Sequence, residues 1–187
     1  MNPGLISVIV PCYNQGIYLK ETIQSALAST YRPLEILIIN DGSTDDSLEL
    51  AKALEAQHPE VRVLDQANAG VTKARNSGIA AAQGEYILPL DGDDLISATY
   101  IEKGMAILSA RPEVTVVYCQ AEKFSEAGRK PWKLKPFSLQ QLAKDNMIFV
   151  SALFRKANAL AGFFTEVLGR KLEGAEGYLR ARSTDRV

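Results

Sequence analysis

Residues 34–46 read LEILIINDGSTDD, an apolar run of strand length that stops at a polar cluster. Leu34 to Ile39 is dense in aliphatic side chains and lacks polar alternation, the pattern of a strand covered on both faces. Asn40 to Asp46 supplies turn formers, and Leu50, Ala53 and Leu54 then follow at helical spacing. Ser43 and Asp46 stand at capping-box spacing before that helix. The same unit repeats outward on both sides. Toward the amino terminus, Leu5 to Val10 is a β-rich run ending at Pro11, and Leu19, Ile23, Ala26 and Leu27 mark a helix face. Toward the carboxyl terminus, Val61 to Leu64 reads as a strand, residues 70–82 as a helix, and Tyr86 to Leu90 as a strand broken by Asp91. Residues 97–109 read as a helix and Val114 to Tyr118 as a strand.

This β-α-β-α order predicts an α/β fold, a mostly parallel, Rossmann-like sheet flanked by helices. In such sheets the functional loops leave the carboxyl ends of the strands. The polar clusters at 11–16, 40–46, 66–70 and 91–94 all fall there.

After residue 120 the pattern weakens. Lys123 to Lys135 is basic, contains Gly128, Pro131 and the sole tryptophan, Trp132, and reads as a hairpin or loop. Leu139 to Ala143 suggests a short helix and Ile148 to Phe154 a strand; from Gly162 onward no period holds. No linker or internal repeat divides the chain. The expected organisation is a core over 1–120 and a further segment of the same domain over 121–187, irregular at its end.

With 187 residues, 47% hydrophobic and 23% charged, the chain has the composition of one globular domain rather than a disordered or fibrous chain. No apolar run approaches the roughly 18 residues of a membrane span. Residues 1–4 show no basic stretch leading into an apolar one, so no leader is expected. Cys12 and Cys119 form neither a disulfide framework nor a metal knuckle, and a reduced, cytoplasmic setting is the expectation. The net charge of −1 conceals a division: residues 1–100 hold 6 Lys+Arg against 13 Asp+Glu, residues 101–187 hold 15 against 9. An acidic first half argues against a nucleic-acid partner and suits a bound cation.

The chemistry centres on Asp91-Gly92-Asp93-Asp94, three acids directly after a strand. They repel one another unless a cation or water offsets the charge. Hard oxygens of this kind suit Mn²⁺ or Mg²⁺ with phosphate oxygens completing the shell, although a solvated acidic turn has the same composition. Asp41 occupies a strand end where an acid can bond a nucleoside, or serve a turn. Lys73 and Arg75 follow Gly70 in a helix opening that can meet phosphate, and are equally ordinary surface cations. Tyr13 can stack on a base and Asn14 can fix its loop. His58, the sole histidine, stands before Pro59, which leaves Cys/His and Ser-His-Asp catalysis without a partner. No P-loop, GxGxxG, HExxH or CxxC motif is present.

Four stretches in this order carry a resemblance: SVIVPCYN at 7–14, EILIINDGSTDDS at 35–47, NAGVTKARNSGI at 68–79 and GEYILPLDGDD at 84–94. Together they resemble glycosyltransferase family 2, the nucleotide-diphospho-sugar transferases of GT-A fold. The likeness continues more weakly through SALFRKANALAGFF at 151–164. It implies transfer of a sugar from a nucleotide diphosphate, a UDP-sugar above all, to a saccharide or lipid-linked acceptor hydroxyl. It further implies Mn²⁺ or Mg²⁺, an inverting single displacement, polysaccharide or cell-envelope synthesis, and a cytoplasmic setting open to peripheral membrane contact. By the same resemblance Pro11 and Tyr13 line the base pocket with Asn14 nearby, and Asp41 bonds the base. Arg75 lies beside the diphosphate, Asp91 reaches the ribose or metal shell, Asp93 ligates the metal, and Asp94 supports the loop.

The family's general base comes from a Glu-Asp pair after a Gly-Gly-Phe-like turn. Here the turn reads Ala161-Gly162-Phe163-Phe164 and the pair reads Glu176-Gly177, which leaves Glu176 and Glu173 as candidates. The missing aspartate, and an end that reads as cut short or altered, point to a second reading: a non-catalytic nucleotide-sugar binder. A haloacid-dehalogenase-type phosphatase also sets Asp-x-Asp after a strand, but after its first strand, whereas Asp91 follows the fourth.

Overall fold

The computed structural model describes residues 2–125, 128–132 and 149–159. Along the chain run β1 (Asn2–Cys12), α1 (Gly16–Leu27), β2 (Leu34–Asp41), α2 (Ser47–Gln57), β3 (Val61–Gln66) and α3 (Val71–Ala81). They are followed by β4 (Gly84–Pro89), α4 (Tyr100–Ala110), β5 (Val116–Val117), the hairpin strands β6 (Ala121–Ser125) and β7 (Gly128–Trp132), and β8 (Leu153–Arg155). Six strands make one sheet in the order β3-β2-β1-β4-β8-β5. The pairs β1–β2, β2–β3 and β1–β4 are parallel, whereas β8 runs antiparallel to both β4 and β5. β6 and β7 form a separate two-stranded sheet.

The absence of polar alternation in β2 has its cause in the two layers that cover it. Every residue of β2 is buried. On one face Ile6, Val8, Val10 and Cys12 of β1 pack with Leu19 and Ile23 of α1, Leu54 of α2 and Met105 of α4. On the other face Ile9, Leu37 and Ile39 pack with Ala74 of α3 and Phe154 of β8. Each fully buried aliphatic side chain contributes about 1.5–3 kcal/mol.

Two of the polar residues buried in this core, Ser7 and Glu35, are paired toward the amino ends of the strands. The Ser7 hydroxyl donates to Glu35 Oε1 at 2.5 Å, the Gln83 amide donates to the same oxygen at 2.6 Å, and the Gly84 amide donates to Ser7 Oγ at 2.9 Å. That end of the sheet is closed by structural bonds. The opposite, carboxyl end is open. Because β1 lies between β2 and β4, strand order reverses at β1, and the loops after these strands part there to leave a crevice.

Several boundaries differ from the sequence expectation for local reasons. Asp46 directly precedes α2, but its side chain makes no capping bond. Ser43 caps nothing either: its Oγ accepts from the Asn14 amide at 3.1 Å, tying two loops together. The last helix of the core opens at Tyr100. The strand expected over 114–118 shrinks to two residues, and the one over 148–154 becomes Leu153–Arg155, because β8 pairs with β4 and β5 through those residues only. The basic stretch does form a hairpin, paired from Ala121↔Trp132 to Ser125↔Gly128. The short helix expected at 139–143 lies outside the described residues. Among the described residues no helix is long and apolar enough to cross a membrane.

Candidate functional site

Two neighbouring hollows occupy the carboxyl end of the sheet. The smaller, about 280 Å³, is lined by Pro11, Tyr13, Asp41, Asn68, Val71 and Ala74 among others. The larger, about 1050 Å³, has Asp91, Asp93, Asp94 and residues of the β6–β7 hairpin among those that line it.

The smaller hollow is shaped by loops that fasten one another. Asn14 adopts a left-handed backbone, φ 53°. Its amide donates to Ser43 Oγ, and its side-chain Oδ1 accepts from the Thr44 amide at 2.8 Å. The Asp41 carboxylate is buried, yet it carries three bonds: from Gln66 Nε2 at 2.7 Å, the Ala69 amide at 3.0 Å and the Gly70 amide at 2.8 Å. Asp41 therefore holds the loop after β3 in place while still bordering the hollow. Gly42 permits this closeness. Its φ is +71°, and a Cβ there would sit 2.7 Å from the Asn68 backbone nitrogen. Tyr13 is half exposed at the rim.

The acidic loop is pinned at Gly92 and open elsewhere. The buried Thr22 hydroxyl of α1 donates to the Gly92 carbonyl at 2.9 Å. A Cβ on Gly92 would lie 3.1 Å from the Pro11 carbonyl oxygen, so the loop presses against the end of β1. The Asp94 amide donates to the Asp91 carbonyl at 3.0 Å and closes the turn. Asp93 and Asp94 stay exposed. Partial screening of the Asp94 carboxyl from water by its loop, and then the like charges of Asp91 and Asp93, push it above its ordinary value, against the pull of Arg75.

Arg75 of α3 pairs directly with Asp91, and its side chain is 11% exposed. Its neighbour Ala74 lines the smaller hollow and Asp91 borders the larger, so the ion pair ties the helix beside one hollow to the acidic loop beside the other. Lys73, two residues earlier, faces solvent. Among the described residues no three His, Cys, Asp or Glu side chains converge to hold a metal ion by themselves. The acidic loop instead offers hard oxygens beside an open space. That donor set fits a cation whose other ligands are phosphate oxygens and water.

Of the residues singled out in the sequence, the structure brings Pro11, Tyr13, Asn14, Asp41, Arg75, Asp91, Asp93 and Asp94 to this one edge. Glu173 and Glu176 lie outside the described residues. Sequence reasoning passed over Thr22 and Gln66, which position Gly92 and Asp41. Thr22 did carry a signal: a hydroxyl three residues after Leu19, on the apolar stripe of α1.

The family model for glycosyl transferase family 2 matches residues 7–167. The uncharacterized glycosyltransferase YibD of Escherichia coli is 42% identical over 132 residues, 70% of this chain and 38% of YibD. Among solved structures, Staphylococcus aureus TarS 1–349 in complex with UDP-GlcNAc superposes with a TM-score of 0.69 at 22% identity, over 83% of this chain and 46% of that one. Mannosyltransferase PcManGT from Pyrobaculum calidifontis, in complex with GDP-Man and Mn²⁺, gives 0.65 at 18% identity, over 86% and 46%. The fold shared with both is GT-A. The chain spans less than half the length of each of these three proteins.

Proposed function

The chain belongs to glycosyltransferase family 2, and from that premise we propose that it binds a nucleotide diphosphate sugar, UDP-linked, and serves its transfer to an acceptor hydroxyl. The observation that carries this reading is the Arg75–Asp91 pair, which ties the helix lining a small hollow to the acidic loop bordering a larger one.

The residues divide the task by position. Tyr13 and Pro11 offer flat apolar surface to a base, and the remaining lone pairs of Asp41 accept its N–H. Asn14 keeps the Tyr13 loop in register with the loop after β2. Arg75 supplies positive charge beside the diphosphate. Asp93 is the metal ligand, with Asp91 reaching the ribose or the metal shell and Asp94 supporting the loop. A bound Mn²⁺ or Mg²⁺ would contribute charge stabilisation of the departing nucleoside diphosphate. Thr22 and Gly92 hold the acidic loop in place, so that its carboxylates are positioned before any ligand arrives.

In an inverting displacement the acceptor hydroxyl gives up its proton to a base, for which Glu176 and Glu173 remain the candidates. Gly177, where the family pattern has aspartate, favours a second reading in which the chain binds the donor without turning it over. Peripheral contact with a membrane, and a role in polysaccharide or cell-envelope synthesis, are further parts of the transferase reading. So is the division into a donor core over 1–120 and an acceptor-side segment over 121–187.

Calorimetry of UDP with and without Mn²⁺ tests the donor reading. Binding is expected to require the metal and to be lost in Asp93→Ala. Equal affinity in all these conditions would overturn it. Transfer or donor hydrolysis by the 187-residue chain would then exclude the binding-only reading.

A further inference from the structure

The smaller hollow and the acidic loop meet at Gln15. Gln15 lines that hollow together with Pro11 and Tyr13, and its side chain also reaches the loop. A Cβ placed on Gly92 would lie 2.5 Å from Gln15 Oε1 and 3.1 Å from the Pro11 carbonyl oxygen. Distances this short mean that the bare Cα of Gly92 rests on two residues of the hollow's lining. Gly92 is buried and stands in the chain between Asp91 and Asp93, so a displacement of its backbone moves both carboxylates. The two contacts differ in stiffness. Pro11 is fixed in the sheet, in register with Ile39 of β2. The Gln15 backbone is fixed as well: its amide donates to Ser47 Oγ at 3.1 Å, and its carbonyl accepts from the Tyr18 and Leu19 amides at 3.0 and 3.1 Å. The flexible Gln15 side chain is therefore the movable part of the contact.

We propose that Gln15 is a positioning residue through which a nucleoside in the smaller hollow and a divalent cation at the acidic loop bind cooperatively, before any diphosphate bridges them. The inference rests on the donor-binding reading above for the identity of the two ligands. A ligand seated against Pro11 and Tyr13 occupies the space into which the Gln15 side chain would swing, and so keeps that side chain on Gly92. The Asp91 and Asp93 carboxylates are then held in place, and less of the cation's binding energy goes into ordering the loop. By linkage the effect is mutual: the factor by which the nucleoside tightens the cation is the factor by which the cation tightens the nucleoside.

The probe is dideoxyuridine, a uridine without ribose hydroxyls, which has a base but no phosphate or hydroxyl to reach the cation or Asp91 from the sugar ring's lower edge. Mn²⁺ binding to the full chain is read from the loss of the free-ion paramagnetic resonance signal, with and without saturating probe. Mn²⁺ is expected to bind about fivefold tighter when the probe is present, the size of one contact. Calorimetry of the probe with and without Mn²⁺ should return the same factor. Gln15→Ala is expected to bring the factor to about one with little change in melting temperature or in affinity for Mn²⁺ alone, a split that a merely structural role would not produce. Gly92→Ala, whose added methyl would push the Gln15 side chain away, is expected to lose the factor in the same way. A native chain that binds UDP with Mn²⁺ but not the probe, a Mn²⁺ affinity that ignores the probe, or a factor that persists in either variant would overturn the proposal and leave the donor reading standing. Absence of UDP binding with and without Mn²⁺ would remove the donor reading and this proposal with it.

Discussion

Arg75 reaches from α3 to Asp91 and fastens the helix after β3 to the acidic loop after β4. The pair is one-tenth exposed on the arginine side and one-third on the aspartate side, so solvent screens it only in part. Removing Arg75 leaves Asp91 beside Asp93 and Asp94 with no offsetting charge. Arg75→Ala is expected to cost about 1–3 kcal/mol of stability, read by urea denaturation. Arg75→Ala combined with Asp91→Asn is expected to cost less than the two single changes added together, because the repulsion goes with the charge. Strict additivity in that double-mutant cycle would show the two side chains to be uncoupled.

The left-handed backbone of Asn14 and the bond it accepts from the Thr44 amide make separate demands on this position. Asn14→Gly keeps the backbone freedom and loses the bond. Asn14→Asp keeps an acceptor. Asn14→Ala loses both and is expected to be the worst, by about 1–2 kcal/mol relative to the native chain. Thermal denaturation of the three variants should rank them Asp, Gly, Ala from most to least stable. An alanine variant as stable as the aspartate one would contradict the loop-fastening role.

Gly42 tests how tightly the Asp41 loop is built. An alanine there meets both an unfavourable φ and the Asn68 backbone nitrogen, which cannot swing aside as a flexible side chain would. Gly42→Ala is expected to lower stability by about 1–3 kcal/mol. It should also weaken UDP by pushing the 66–70 loop off Asp41. By contrast, the nearest atom to a Cβ on Gly92 is the end of the Gln15 side chain, which can move. Gly92→Ala should therefore disturb stability less, and the order of the two melting temperatures checks the distinction.

The parallel core was legible because burial on both faces leaves a mark on each strand. Leu34–Ile39 could not be a half-exposed strand, and the polar clusters after the runs had to meet at one sheet edge. The donor-side residues were legible for the same reason, since strand ends fix where a loop leaves. What the sequence did not disclose was which member of a local pair faces inward. Lys73 and Arg75 differ by two residues on α3, a rotation of roughly 200° on a helix, and only the packed helix turns Arg75 toward Asp91. Nor did it show that Ser43 would serve Asn14 across a loop contact instead of capping α2, because that choice depends on two segments 29 residues apart. The antiparallel entry of β8 between β4 and β5 was equally invisible: its three residues pair with strands formed far earlier in the chain.

The two thiols give the pH behaviour. Burial raises both Cys12 and Cys119 above the ordinary thiol value of 9.0, against bonds that pull the other way. Because the folded thiols hold their protons more tightly than the unfolded ones, the folded state binds more protons in the window above pH 9. Stability therefore falls as pH rises through that window, and this contribution is intact below it. Urea midpoints are expected to hold level between about pH 7 and 8 on account of the thiols and to decline beyond 9. Cys119→Ala should decline less steeply, since it removes one of the two raised thiols. The same burial predicts chemistry at neutral pH: thiolate-directed alkylation should be slow in the native chain and fast in urea. Rapid native labelling of Cys12, which is 1% exposed beneath the Tyr13 loop, would mean that the loop opens readily and that the floor of the smaller hollow is not preformed.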